Sequence, residues 1–168
     1  MKAFVELPIT QGRVTLIDAS DFDYVNQWKW CVTGKGYVIR RLKVHEKQPG
    51  DSSIAYLHRV IMLPPKGMNV DHINGVKLDN RRCNLRNCTP AQNRQNIARK
   101  SGSVSMYKGV FWNKRASIWV SELTCNYEKK WLGCFKQEED AARAYDAAAI
   151  KYFGEFARLN FPIREEAS

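Results

Sequence analysis

An Asp-His dipeptide, Asp71-His72, precedes two asparagines, Asn84 and Asn93, in a stretch rich in turn residues. These side chains suit the activation of water. A histidine with an ordinary pKa of roughly 6.5 exchanges a proton near neutral pH and can act as general base. One carboxylate and one amide oxygen are hard donors, adequate for a divalent cation that keeps several of its own waters. Asp71 and Asn93 are therefore the candidate metal ligands, with Mg2+ or Mn2+ as cofactor, and His72 is the candidate base. Adjacent residues in a regular strand point to opposite faces. Asp71 and His72 can share a site only where the strand ends or twists, and Asn74-Gly75 supplies such a break.

Other chemistry-bearing residues fit this site less well. Five cysteines, Cys31, Cys83, Cys88, Cys125 and Cys134, form an odd set without CxxC spacing, which argues against a disulfide scaffold and a four-cysteine zinc knuckle. Cys83 and Cys88 could hold a metal together with a histidine, but small buried thiols are the simpler reading. His58 sits in an apolar run and reads as a packed or DNA-backbone residue. His45, between Lys43 and Lys47, reads as surface.

The elements that must position these groups follow from local pattern. Residues 1–56 hold short β-like runs such as Arg13-Val-Thr-Leu-Ile17 and Tyr37-Val-Ile-Arg40, with Gly34 and Gly36 as turn signals and Trp28, Trp30 and Tyr37 as a small core. Leu57–Leu63 is apolar, long enough for two helical turns, and stopped by Pro64-Pro65. A strand, a turn-rich loop and a second strand follow. Thr89-Pro90 then pairs an N-cap with an N1 proline, opening a short helix through Asn93 toward Ala98. Residues 100–106 read as a small, polar linker. Beyond it come three strands near 107–112, 117–124 and 130–135, then a helix over 138–153. Ala141, Tyr145, Ala148 and Tyr152 would form its apolar stripe, with acidic residues at its start and Gly154 at its C-cap.

The middle segment resembles the HNH nuclease family of phage and intron type. The matching residues are Val70-Asp-His-Ile-Asn-Gly75, Leu78-Asp-Asn80, Asn84-Leu-Arg86, Thr89 and Gln92-Asn93. The resemblance implies a ββα-metal motif over residues 57–99 and hydrolysis of phosphodiester bonds in duplex DNA, as by a homing endonuclease. It gives His72 and Asn84 the catalytic positions and Asp71 and Asn93 the metal. In the family the middle asparagine bonds the backbone of the loop between the strands, so Asn84 is expected to orient His72 without touching substrate. Arg81, Arg82, Arg86, Arg94 and Arg99 flank the motif as expected phosphate contacts. An origin in a phage would place the protein in the cytoplasm of a bacterial host.

Residues 107–162 resemble the plant ethylene-response-factor (apetala-two type) DNA-binding domain. Tyr107-Lys-Gly-Val110, Trp119-Val-Ser-Glu-Leu123, Trp131-Leu-Gly-Cys-Phe135, Ala141–Ala148 and Leu159-Asn-Phe-Pro162 carry the likeness. That family lays a three-stranded sheet in the major groove and backs it with a helix. Lys108, Glu122, Lys129 and Trp131 fall on its DNA-contact positions, and Lys114 and Arg115 in the matching first turn. Lys108 stands where arginine is usual, Phe111 where another is common, and Thr124 lacks a basic side chain, which weakens bidentate reading of guanine. Alternation puts Trp119, Ser121, Leu123, Leu132 and Cys134 on the helix side, and Val120, Glu122, Thr124, Lys129 and Trp131 on the other.

Composition agrees with this α+β organisation. The chain has 168 residues, 44% hydrophobic and 26% charged, as in a folded globular protein. No run approaches the roughly 18 apolar residues of a membrane span, and the N-terminus lacks a signal-like apolar stretch, so neither a membrane nor an export role is expected. The net charge of +10 is uneven: 17 of 27 Lys and Arg, but 8 of 17 Asp and Glu, lie in residues 1–100. Such an excess favours a polyanionic partner. Two other classes stay open at this point: a DNA-binding regulator or intron accessory protein without catalysis, and a basic structural protein. Intact Asp71, His72 and Asn93 favour cleavage over both. A monomer and a homodimer are equally compatible with the sequence.

Overall fold

The computed structural model describes residues 3–47, 52–99, 102 and 104–162. Lys100, Ser101 and Ser103 of the expected linker lie outside them. The chain divides into two compact units, residues 1–90 and 91–168, and the fold is α+β.

In the first unit, β1 (Phe4–Ile9) and β2 (Arg13–Asp18) form an antiparallel hairpin, followed by a single-turn helix, α1 (Phe22–Val25). β3 (Cys31–Val32), β4 (Val38–Arg41) and β5 (Ile54–Tyr56) make a three-stranded sheet. Helix α2 (Leu57–Met62) ends on Leu63, a left-handed residue just before Pro64-Pro65. The prolines explain the stop, since they cannot continue the hydrogen-bonded ladder. β6 (Asn69–His72) and β7 (Leu85–Cys88) pair antiparallel, with Asp71 opposite Arg86 and His72 opposite Leu85. Helix α3 (Pro90–Gln95) begins at the expected proline, the last residue of this unit, and stops short of Ala98.

One core serves both sequence segments that meet near residue 56. Leu7, Ile9, Ile17, Val25, Trp30 and Val38 from the N-terminal elements pack with Leu57, Ile61, Val70 and Leu85. Trp30 is buried and its indole N–H donates to the Val25 carbonyl at 2.8 Å, so its polar atom is satisfied. Trp28 packs at the margin of this core, while Tyr37 turns toward Tyr56 and His58.

In the second unit, β8 (Val110–Asn113), β9 (Ile118–Cys125) and β10 (Glu128–Phe135) form a sheet in the order β10-β9-β8, and α4 (Glu138–Phe153) packs on it. The helix has the expected bounds, with Glu138, Glu139 and Asp140 in its first turn and Gly154 at its C-cap. Its buried stripe runs through Ala141, Ala142, Tyr145, Ala148, Ala149 and Phe153. Tyr152, expected to complete the stripe, is exposed. The buried face is centred on Ala142, Tyr145, Ala149 and Phe153, so Ala141, Ala148 and Tyr152 run along one edge of it, and in the last turn Phe153 takes the covered position.

A second correction concerns β10. Pairing moves from Trp131↔Glu122 to Gly133↔Ser121, so Leu132 is an extra residue in the ladder. Such a bulge reverses the alternation beyond it. Leu132 packs inward as expected, but Phe135 takes the next core position and Cys134 is exposed. Trp119, Ser121 and Leu123 face the helix side; Val120, expected opposite, is nonetheless buried, flanked across both ladders by Phe111 and Cys134.

The end of the unit is tied back by a buried carboxylate. Asp146 accepts from the backbone N–H groups of Asn160 (2.8 Å) and Phe161 (2.9 Å), and the Asn160 side chain exchanges two bonds with the Lys108 backbone. Gly109, next to Lys108, has φ +75°, and a Cβ there would overlap the Tyr145 ring and come within 2.7 Å of the Glu122 carbonyl oxygen. Gly109→Ala is therefore expected to destabilise this unit by about 3 kcal/mol or more. Urea unfolding followed by circular dichroism measures the loss; a shift within error of wild type would contradict the packing described.

Candidate nuclease site

The site is built where β6 ends. His72 is the last residue of β6, and the chain turns at once: the Gly75 N–H donates to the His72 carbonyl at 2.9 Å, and the Val76 N–H donates to Asn74 Oδ1 at 2.7 Å. Asn84 braces this turn from β7's side. Its Oδ1 accepts from the Asn74 N–H at 3.0 Å, its Nδ2 donates to the Asp79 carbonyl at 2.8 Å, and its own carbonyl accepts from Ile73 N–H at 2.9 Å. Asn84 thus fixes the loop backbone, and the asparagine bonded to the imidazole is a different one.

That residue is Asn80. His72 Nε2 lies 3.2 Å from Asn80 Oδ1, and both side chains are buried. Asn80 Nδ2 bonds Thr15 Oγ1 at 2.8 Å, on β2 of the N-terminal hairpin. The backbone supports the contact: Leu16 N–H donates to the Leu78 carbonyl and Asn80 N–H to the Leu16 carbonyl, each at 2.8 Å, making a parallel bridge between Leu16 and Asp79. On its other side His72 meets the edge of His58 at a ring-centroid distance of 5.1 Å, with Tyr37 at 6.3 Å. Burial, the largest influence, lowers the His72 pKa, against the Asn80 bond and the charges of Asp71 and Asp79, which raise it. The imidazole is therefore neutral near pH 7, the form a general base requires. Burial also raises the Tyr37 pKa, reinforced by the nearby charge of Asp71, so its phenol stays protonated.

Asp71 is buried and faces its cross-strand neighbour: Arg86 Nη2 and Nε reach Asp71 Oδ2 at 2.9 and 3.2 Å. The Asp71 and Asn93 side chains offer the hard oxygens that Mg2+ or Mn2+ prefers, so the donor types fit such an ion. Asn93 lies half-buried on α3, in the second unit. Among the described residues no three His, Cys, Asp or Glu side chains group as a metal cage. Cys83 is exposed and Cys88 buried, and both are free thiols.

The expected phosphate contacts differ in their surroundings. Arg81 is held by Asp79 through two bonds of 2.7 and 2.8 Å, and Arg82 by Asp21 through bonds of 2.7 and 2.9 Å. With Arg86 on Asp71, three of the five arginines are tied to carboxylates. Arg94 instead donates to the Tyr127 hydroxyl at 2.9 Å and lies 5.2 Å from the centre of its ring. Arg94, Arg99, Lys108 and Glu122 all line one cavity of about 590 Å³ in the second unit. Lys108 Nζ donates to the Gln95 carbonyl at 2.5 Å, and burial lowers its pKa to about 8. Lys114, Arg115, Lys129 and Trp131 are exposed, and Lys129 Nζ lies 3.4 Å from Glu122.

Four residues around His72 escaped the sequence reading in this role: Asn80, Tyr37 and His58 beside the ring, and Thr15 behind Asn80. Asn80 stood inside the motif, and His58 could be seen as a buried histidine. Nothing local marked Thr15 or Tyr37. His58 carries a measurable consequence. Burial, the charge of His72 and then Arg59 lower its pKa from 6.5 to about 3. The unfolded chain therefore takes up a proton as pH falls below about 6.5, while the folded protein does not until about pH 3. Stability is present in full above the unfolded pKa and is lost across that window, with a limiting slope of about 1.4 kcal/mol per pH unit from this group. Urea midpoints compared between pH 7 and pH 4.5 are expected to fall less for His58→Phe than for wild type; parallel falls would contradict the assignment.

The HNH endonuclease family matches residues 55–95. An uncharacterized HNH endonuclease of Acanthamoeba polyphaga mimivirus is 30% identical over 156 residues, covering 89% of this chain and 76% of that protein. Over the C-terminal region the chain is similar to plant proteins. An AP2/ERF and B3 domain-containing protein of Oryza sativa is 45% identical over 58 residues, covering 34% of this chain and 16% of the plant protein. An ethylene-responsive transcription factor of Arabidopsis thaliana is 43% identical over 63 residues, covering 36% of this chain and 34% of that factor. The family signature covers the strand pair that carries Asp71 and His72 together with Asn84 just before β7, and the viral relative matches along most of both sequences: the chain belongs to the HNH endonuclease family.

Proposed function

We propose that this HNH protein is a metal-dependent endonuclease of homing type that hydrolyses phosphodiester bonds of duplex DNA. The observation that carries the reading is His72 at the end of β6, neutral, buried and held through Nε2 by Asn80, beside the buried carboxylate of Asp71. His72 takes the proton from the attacking water. Asn84 keeps the turn after β6 in place so that the imidazole does not drift from the reacting phosphate. Asp71 and Asn93 would hold Mg2+ or Mn2+. A bound divalent cation neutralises charge on the pentavalent phosphate and supports the leaving 3′ oxygen.

In this reading residues 57–99 are the nuclease motif, 107–162 grip the target, and residues 100–106 link them, with the host cytoplasm as the place of action. The exposed Lys114, Arg115 and Lys129 contact phosphates and Trp131 contacts the duplex surface, as the likeness to AP2-type domains suggests. Arg94, Arg99 and Lys108 contribute charge from the cavity side of the same unit.

Supercoiled plasmid incubated with wild type and Mg2+ or Mn2+ is expected to become nicked or linear, and chelator is expected to stop it. His72→Ala should lower cleavage by about a hundredfold or more while duplex binding is retained. Cleavage by His72→Ala at the wild-type rate would exclude it as the base. Lys129→Ala should reduce the slope of log K against log salt by about 1, read by fluorescence anisotropy on duplex DNA. An unchanged slope would remove Lys129 from the interface.

One observation favours a second reading, a DNA-binding protein without cleavage: Arg86 already engages Asp71. That reading predicts chelator-insensitive binding and no metal-dependent cleavage of any duplex selected for tight binding.

A further inference from the structure

We propose that Thr15 is a positioning residue for His72, acting through Asn80 to keep the imidazole proton on Nε2 and the basic lone pair on Nδ1. The use made of that tautomer rests on the nuclease reading; the tautomer itself follows from hydrogen bonds alone. Thr15 Oγ1 donates to the Leu78 carbonyl at 2.8 Å, which commits its one proton and leaves the oxygen as an acceptor. Asn80 Nδ2 donates to that oxygen at 2.8 Å and to the Lys77 carbonyl at 3.2 Å. A carbonyl can only accept, so this end of the amide is the nitrogen. Oδ1 therefore faces His72 Nε2, 3.2 Å away. Two acceptors cannot bond, so Nε2 carries the proton. A neutral imidazole has a single N–H, and its lone pair then lies on Nδ1.

Thr15 and Asn80 are both fully buried. Their bonds are therefore made in a medium where an unpaired polar group is costly, and the chain of donors has one favourable direction. Without the Thr15 oxygen, one amide N–H of Asn80 loses its acceptor. The nitrogen is then held only by the longer 3.2 Å bond to the Lys77 carbonyl, and the molecules in which the amide turns over offer Nδ2 to His72, so that Nε2 has to accept. The proton would sit on Nδ1, and the nitrogen that has to take the proton from water would no longer be basic. Thr15 lies on the N-terminal hairpin, outside the family signature at residues 55–95. The hairpin is thus part of the machinery that sets the base.

The test uses the full-length protein labelled with 15N in its three histidines, in the neutral form, with His72→Gln to assign the His72 signals. Long-range 1H–15N correlation distinguishes a protonated ring nitrogen from an unprotonated one. Wild type is expected to show His72 with Nε2 protonated and Nδ1 not. Thr15→Val should populate the other tautomer and lower kcat about tenfold with KM unchanged, and Thr15→Ser, which keeps the hydroxyl, should restore both. If Thr15→Val does not fold, Thr15→Cys, of similar size but a weaker donor and acceptor, takes its place. A His72 protonated on Nδ1 in wild type overturns the proposal. So does a folded Thr15→Val protein with unchanged tautomer. A wild type that cleaves no DNA defeats the nuclease reading, and the spectra then decide this one by themselves.

Discussion

The first unit depends on a buried amide. Asn80 is fully enclosed, and its side-chain amide and backbone N–H all have partners: Thr15 and Lys77 for the nitrogen, His72 for the oxygen, and Leu16 for the backbone N–H. A polar group placed there without partners would cost more than the fold could easily supply, so the loop over residues 76–80 has little choice of position. The same constraint joins two stretches that local pattern treats as separate. The hairpin of β1 and β2 contributes to the shared core and, in the same contact, sets the edge against which the strand pair β6–β7 is fixed. Asn84 does the complementary job from the turn just before β7, holding backbone only. Two asparagines four residues apart thus divide the work, one shaping the loop and one facing the imidazole.

How much of this could be read in advance depended on range. The Asp71-His72 pair, the Asn84-Leu-Arg86 run and the Thr89-Pro90 helix start are local signals, and the elements stand where those signals put them. Helix α4 was legible to the residue because its acidic first turn and Gly154 mark both ends. The Thr15–Asn80 bond spans 65 positions, and no spacing rule connects a threonine in one hairpin to an amide in a distant loop. The placing of Tyr37 and His58 around His72 is equally a product of tertiary packing. On β10, strict alternation fails after one inserted residue, and a period-two argument cannot see the insertion. The stripe of α4 failed more mildly: the expected residues follow one edge of the buried face, and at its end Phe153 is covered in place of Tyr152.

Charge shows a different limit. The arginines around the motif read as a phosphate-binding set, because sequence shows where charges are but not what they neutralise. Arg81, Arg82 and Arg86 each meet an aspartate. Two of these bonds join separate elements, Arg82 to Asp21 and Arg86 to Asp71, so they also act as ties within the first unit. For Arg86 and Asp71, both largely buried, removing either partner would leave an uncompensated charge. Much of the field available to a polyanion therefore comes from side chains without an aspartate partner, including the lysines of the second unit.

The bulge on β10 has a bearing on how the protein behaves in solution. β10 is eight residues long and lies at the edge of its sheet. A long edge strand offers unpaired backbone donors and acceptors to any neighbouring chain, which is the usual route to strand-to-strand aggregation. Here the extra residue at Leu132 breaks the regular repeat of those groups, and Lys129 and Lys130 bring positive charge along the same strand. Irregular pleat and like charge both oppose the docking of a second copy on that edge. The feature that turns Cys134 outward therefore also guards the open edge of the sheet.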